Sequence, residues 1–251
     1  MKPDLKTILI FVVGAVITLA AIGFGMKKQS GRYIRELSVV IDEEQGNYFI
    51  DQPEAVDLIN ADHSDYVLGL TLDQIDLKML ERRLEEHAFV SEAQIFHDIT
   101  GTLKVRIRQA QPIARVLSGS GQGRYIDRKG NLLPLNAKHT ARVPIIEFDK
   151  VPDWENNLYE NEKGEELMKL LRFIRQDEFW SAQIAHIMVD QMGEITMIPQ
   201  VTKQEIVFGA PTDFEEKFRK LKLFYKEILP YKGWNTYAYV NVKFKNQIVC
   251  E

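Results

Sequence analysis

The 251-residue sequence predicts an α+β protein, and three observations carry that prediction. An uncharged run fills residues 7–26. A strand–helix–helix–strand–strand succession follows over residues 34–110. Beyond residue 111, short segments of strand period alternate with two long stretches of helical period. The composition is that of a folded chain, 45% hydrophobic and 27% charged. Net charge is −4, and it becomes −5 once residues 1–26, which hold Lys2, Lys6 and Asp4, are set aside. A mildly acidic body argues against a dedicated nucleic-acid binder, which needs a basic footprint.

The uncharged run "TILIFVVGAVITLAAIGFGM" predicts a transmembrane helix over 7–26. Twenty helical residues rise about 30 Å, the thickness of a hydrocarbon core, and only a hydrogen-bonded helix or a closed barrel crosses lipid without orphaned backbone groups. A cleaved signal peptide is the competing reading, with Ala21 and Gly23 as a weak small-x-small site; the length of the run favours an uncleaved anchor. Residues 1–6 then form a short tail and 27–33 a linker. Lys27, Lys28, Arg32 and Arg35 outnumber Lys2 and Lys6, so the charge rule alone would place the large body in the cytoplasm.

The next segment reads as one two-layer module over 34–110. "IRELSVVI", 34–41, is a strand with Leu37, Val39 and Ile41 alternating. Asp51 caps a helix with Pro53 in its first turn, Glu54 completing a capping box, and Val56, Leu58 and Ile59 on its apolar side. Asp76 caps a second helix, in which Leu77, Leu80 and Leu84 share a face while Glu81, Arg82, Arg83, Glu85 and Glu86 form a solvated face. Ala93, Ile95 and His97 alternate on one strand and Leu103, Val105 and Ile107 on the next, with Gly101 in the hairpin loop "DITG". Lys104, Arg106 and Arg108 line the outer face of that last strand.

From residue 111 on, "SGSGQG" at 118–123 is a flexible turn that lacks the spacing of a phosphate loop. "YIDRKGNLLPL" at 125–135 is a hairpin, and "VPIIEF" at 143–148 is a buried strand. Leu167, Leu170, Leu171 and Ile174 mark a helix near 161–177. "IAHIMVD" and "EITMIPQ" pair across Gln191-Met192-Gly193, and "EIVFG" at 205–209 is a further strand. A helix over 213–229 carries an aromatic stripe of core spacing. In the closing stretch "YAYVNVKFKNQIVC", Ala238, Val240, Val242 and Phe244 share one face of a strand, and Ile248, Val249 and Cys250 form a second short one. The whole makes a mixed sheet with helices on one side. Five scattered histidines, a single cysteine and no Gly-x-Ser-x-Gly elbow give no metal-binding or nucleophilic signature, and no cofactor is expected.

"HAFVSEAQIFHDITGTLKVRIRQAQPIARV" at 87–116, followed by "YIDRKGNLLPL", resembles the FtsQ/DivIB cell-division family, and the module at 34–110 resembles a POTRA domain. The preceding anchor and the terminal "YVNVKFKNQ" fit the same family. The resemblance implies a non-enzymatic scaffold of the cell inner membrane at the division septum. Its amino terminus would be cytoplasmic, with residues 27–251 in the periplasm as a POTRA-like domain (34–110) and a β domain (111–251). It implies FtsB- and FtsL-like partners and a part in controlling septal peptidoglycan synthesis. Partner binding would fall on Tyr239, Phe244, Asn246, Gln247, Ile248 and Val249 by strand addition, with Lys104, Arg106 and Arg108 as contacts of the first module. A membrane-anchored envelope enzyme, such as a peptidoglycan hydrolase built on dispersed carboxylates, is the alternative.

Overall fold

The computed structural model describes residues 13–19, 33–42, 46, 48–60, 66–117, 123–150, 157–160 and 162–251. Residues 13–19 are helical and exposed; the rest of the expected span 7–26 lies outside the described residues, as do 1–6, 27–32 and the turn at 118–122. Among the described residues no helix is long and apolar enough to cross a membrane. The chain divides into two compact units, Met1–Gln109 and Ala110–Glu251.

In the first unit the elements run β1 (Glu36–Asp42), α1 (Gln52–Ile59), α2 (Leu77–Glu85), β2 (Val90–His97) and β3 (Thr102–Gln109). The Asp51 carboxylate accepts the Glu54 amide at 2.9 Å and Asp76 accepts that of Met79 at 3.1 Å, so both helices start at their acidic caps. The β2–β3 hairpin closes around Asp98, which accepts the Thr100 and Thr102 amides, with Gly101 at φ 91°. β3 lies in the centre, antiparallel to β2 and parallel to β1. A parallel β1 needs a crossover, and the two helices supply it. Ala55, Ile59, Leu80 and Leu84 bury against Ala93, Ile95, Leu103, Val105 and Ile107.

The charged face of α2 is exposed at Arg82, Glu85 and Glu86 and half-buried at Glu81 and Arg83, as a solvated face should be, but two of its carboxylates also make contacts that spacing does not predict. Glu81 and Glu85 reach the edge of β2, where their Oε1 atoms accept the Ile95 amide at 2.7 Å and the Ala93 amide at 3.1 Å. On the opposite edge, Gln52 donates to the Val39 carbonyl at 3.1 Å. Side chains from the helices thus satisfy edge groups that would otherwise invite another strand.

Among the described residues, the second unit holds a nine-stranded mixed sheet. Its strands are β4 (Pro112–Leu117), β5 (Arg124–Asp127), β6 (Leu132–Leu133), β7 (Ile145–Phe148), β8 (Ile184–Val189), β9 (Ile195–Pro199), β10 (Glu205–Gly209), β11 (Tyr239–Asn241) and β12 (Val249–Cys250), in spatial order β12-β11-β10-β9-β8-β7-β4-β5-β6. Register places Val116, Ile146, Ile187, Met197, Ile206 and Val240 side by side across six strands, with Cys250 at the end of the row. All six are buried, and the helices α3 (Glu162–Gln176), α4 (Glu178–Gln183) and α5 (Phe214–Leu223) cover them. The aromatic stripe is core: Phe218 stacks among Phe173, Phe208 and Trp180 with ring centroids 4.9–5.1 Å apart. The helix expected over 213–229 changes pitch, with a π-turn at Phe224–Ile228 before a last α-helical turn, Leu229–Lys232.

The terminal hairpin needs a correction. The alternation of apolar residues extends through Phe244, yet β11 ends at Asn241. Val242 stays buried while Phe244 is turned out, 49% exposed. Ala238 is exposed, and Tyr237 instead packs on the core beside Phe224. The physical reason lies on α5, described below.

Candidate functional site

The end of the chain forms the outermost strand of the larger sheet. Tyr239 and Glu251 exchange hydrogen bonds, amide to carbonyl, at 3.0 and 3.1 Å, and the register pairs Val240 with Cys250 and Asn241 with Val249. In an antiparallel ladder hydrogen-bonded and non-bonded pairs alternate. Cys250 therefore sits in a non-bonded pair, and its amide and carbonyl face away from β11. Among the described residues no side chain covers them. This edge lacks what Glu81, Glu85 and Gln52 provide in the first unit.

The flanking turn is held by side chains of other segments. Lys220 on α5, with its side chain 10% exposed, donates from Nζ to the Val242 carbonyl at 2.8 Å and to the Phe244 carbonyl at 2.6 Å. These two carbonyls are thereby taken out of any ladder, so β11 stops and the Phe244 ring swings outward. Lys243 pairs with Glu194, and its stem lies across Gly209. A Cβ at Gly209, already at φ 79°, would stand 2.7 Å from the Lys243 Cγ. Asn246 takes a left-handed φ of 58° and donates its amide to Glu216 at 3.3 Å.

The six residues singled out from the sequence gather at this edge in three ways. Tyr239 (47% exposed) and Val249 (37%) stand on the outer face of the sheet with Asn241. Phe244, Asn246 and Gln247 are exposed on the turn. Ile248 is half-buried against the core, as is Cys250, whose thiol pKa is pushed up by burial. Lys220, Glu194, Glu216 and Gly209 escaped the sequence reading. One signal was available for Lys220: it lies four residues before Phe224, on the buried side of an aromatic helix, where a lysine needs carbonyl partners.

Lys104, Arg106 and Arg108 are exposed on the outer face of β3. Lys104 lies 3.4 Å from Asp98 and Arg108 pairs with Glu92, while Arg106 stands between Val40 and Gln94 in register. Because β3 is the central strand, these residues offer side chains and no free backbone. Val40 (51% exposed) and Phe96 (48%) flank them.

The chain thus combines two α+β units, a β-α-α-β-β module whose edge groups accept from or donate to helix side chains and a mixed sheet with β12 as its outermost strand. A POTRA-like domain model matches residues 32–108, and a model described as FtsQ/DivIB, C-terminal related matches residues 111–251, more than half of the chain. The chain belongs to the FtsQ/DivIB family. It is 24% identical over 185 residues to the cell division protein FtsQ of Rhodothermus marinus, an alignment covering 72% of this chain and 67% of that protein.

Proposed function

We propose that this chain is a divisome scaffold that binds FtsB- and FtsL-like partners by strand addition at β12 and so helps to control septal peptidoglycan synthesis. It acts by binding rather than by catalysis. It is held in the inner membrane by residues 7–26, with the bulk of the chain in the periplasm. Family membership supports the role in division. The observation that carries the binding mode is the uncovered edge at Cys250, beside the half-exposed Phe244, Tyr239 and Val249. Backbone hydrogen bonds give such a site affinity, and alternate side chains give it specificity. Lys104, Arg106 and Arg108 offer a second contact in the first unit.

Cys250→Pro tests the mode. It deletes an amide that serves no bond within the sheet, and its ring obstructs an incoming strand. Ile248→Pro acts on the next outward-facing position. Each variant should keep the wild-type circular dichroism spectrum and lose capture of a purified FtsB-like partner. Capture by the folded variants at wild-type strength would refute edge pairing, and normal septation in cells lacking the chain would refute the division role.

A further inference from the structure

The chain enters the first unit at one end and leaves it at the other. β1 is parallel to β3 and β2 antiparallel to it, so the start of β1, the start of β3 and the end of β2 share an end. The loop ahead of α2 reaches the same end. Tyr33 bridges Thr71, the Ile34 amide donates to the Leu70 carbonyl, and the Ile34 carbonyl accepts the Gly69 amide, the last two bonds at 2.9 Å. Arg35 donates its amide to the Gly101 carbonyl at 3.0 Å, which ties the β2–β3 turn to the entering chain. Gln109, the last residue of the unit, lies at the far end of β3, roughly 23 Å away along the strand. At the entry end Tyr33, Tyr66 and Leu68 are exposed, and Ile99, in the β2–β3 turn, is 79% exposed. The turn is closed by the Asp98 carboxylate and by Gly101, and nothing in its geometry calls for an isoleucine. The Ile99 side chain has no polar atom to satisfy, and it stands outside the core.

Chain length decides what this end faces. Val13, Val16, Ile17 and Leu19 are exposed on the helix inside the uncharged run, an arrangement that lipid accepts and water does not favour. With that run as a membrane span, only residues 27–32 separate its last residue, Met26, from Tyr33. Seven peptide steps reach at most about 25 Å, and the headgroup layer takes up about 5–7 Å of that. The entry end is therefore the part of the unit that the tether holds nearest the bilayer. Tethering raises the local concentration of the two surfaces, so a contact too weak for a free domain becomes favourable. Tyrosine suits the headgroup layer, with an apolar body and a wet hydroxyl. A partner that pairs by strand addition finds no ladder here, because these residues lie in turns and loops.

We propose that the entry end of the first unit rests on the bilayer, with Ile99 and Leu68 in the headgroup layer and Tyr33 and Tyr66 at its surface. The proposal rests on the reading of residues 7–26 as a membrane span. Nitroxide labels test it in the full chain, carried in phosphatidylcholine nanodiscs, with Cys250→Ser removing the native thiol. Labels at Ile99→Cys and Leu68→Cys should collide with oxygen, relative to a water-soluble nickel complex, several-fold more than a label at Tyr48→Cys near the far end. A label at Val16→Cys should read deeper still. An aqueous ratio at 99 or 68 with a deep reading at 16 would overturn the contact and leave the anchor standing. An aqueous reading at 16 would overturn both. Charged substitutions separate contact from tether: with Ile99→Asp and Leu68→Asp together, a label at Tyr33→Cys should shift to the aqueous ratio while the melting temperature is unchanged. A label at 33 that stays at headgroup depth in the folded double variant would overturn the part given to these side chains. A label at 99 that is aqueous until a purified FtsB-like partner is added, and shielded from both reagents afterwards, would give the surface to a protein and overturn the proposal.

Discussion

Replacing Lys220 by methionine isolates the contact that shapes the terminal edge. The methionine fills similar space and removes only the ammonium, which donates to the carbonyls of Val242 and Phe244. A charge-assisted hydrogen bond contributes about 1.5–3 kcal/mol, and two are lost. Part of that loss is offset because a buried cation no longer has to be desolvated. The net destabilisation is then about 2–3 kcal/mol, which for a unit of this size lowers the melting temperature by roughly 5–10 °C. Hydrogen exchange should locate the effect, with faster exchange across 242–250 and little change in α3 or α4. Partner capture should weaken as much as in Phe244→Ala, and the double variant should weaken little further, because the lysine acts by placing that ring. A Lys220→Met protein that melts within a degree of wild type and exchanges normally at 242–250 would refute the clamp. One that loses protection but binds its partner fully would show that Phe244 is placed for some other purpose.

Other variants probe the remaining contacts. Glu81→Ala and Glu85→Ala should each cost about 1–2 kcal/mol and speed exchange of the Ile95 and Ala93 amides in turn, and normal protection there would contradict the edge cover. The Asp98 carboxyl is held well below the usual carboxylate range, first by the Thr100 hydroxyl and then by the Thr102 and Thr100 amides, with Lys104 beside it. A depressed folded-state pKa contributes stability that is present above the unfolded carboxylate range and lost as pH falls through the folded value. Asp98→Asn should therefore lower stability at neutral pH and flatten its acid dependence, as read by urea melts between neutral and acidic pH. Cys250, with its pKa raised by burial, should react with maleimide more slowly in the folded chain than in urea, the rate rising about tenfold per pH unit until above the ordinary thiol range.

Much of the fold is legible in the sequence because local rules and tertiary packing agree there. The caps at Asp51 and Asp76, the hairpin at Gly101 and the two-residue alternation in β2 and β3 each depend on neighbours a few positions away, and the structure has them all. The misreadings share one cause, a side chain arriving from a distant segment. Periodicity runs on through Phe244, but an ammonium 24 residues earlier takes its carbonyl and ends the strand. Glu81 and Glu85 fit a solvated helix face by spacing, yet β2 folds back within reach of their carboxylates.

The two sheets treat their edges in opposite ways, and the contrast bears on where a partner strand can enter. In the first unit, an incoming strand at β2 must displace two carboxylates from the Ala93 and Ile95 amides, and at β1 it meets Gln52 on the Val39 carbonyl. Each displacement forfeits a bond already made, so pairing there gains little. At β12 the outward amide and carbonyl of Cys250 have no bond within the sheet to lose, only bonds to water, so each pairing there would keep the modest net gain of an exchanged hydrogen bond. The core row also ends at Cys250, whose side chain packs inward and holds the strand against the sheet. A strand only two residues long is a poor template for uncontrolled association. Stable pairing then needs help from side chains beside it, and the outward Phe244, Tyr239 and Val249 can supply it. On the proposed strand addition, backbone and apolar side chains would have to be met together, and that joint requirement would let so short an edge select a partner.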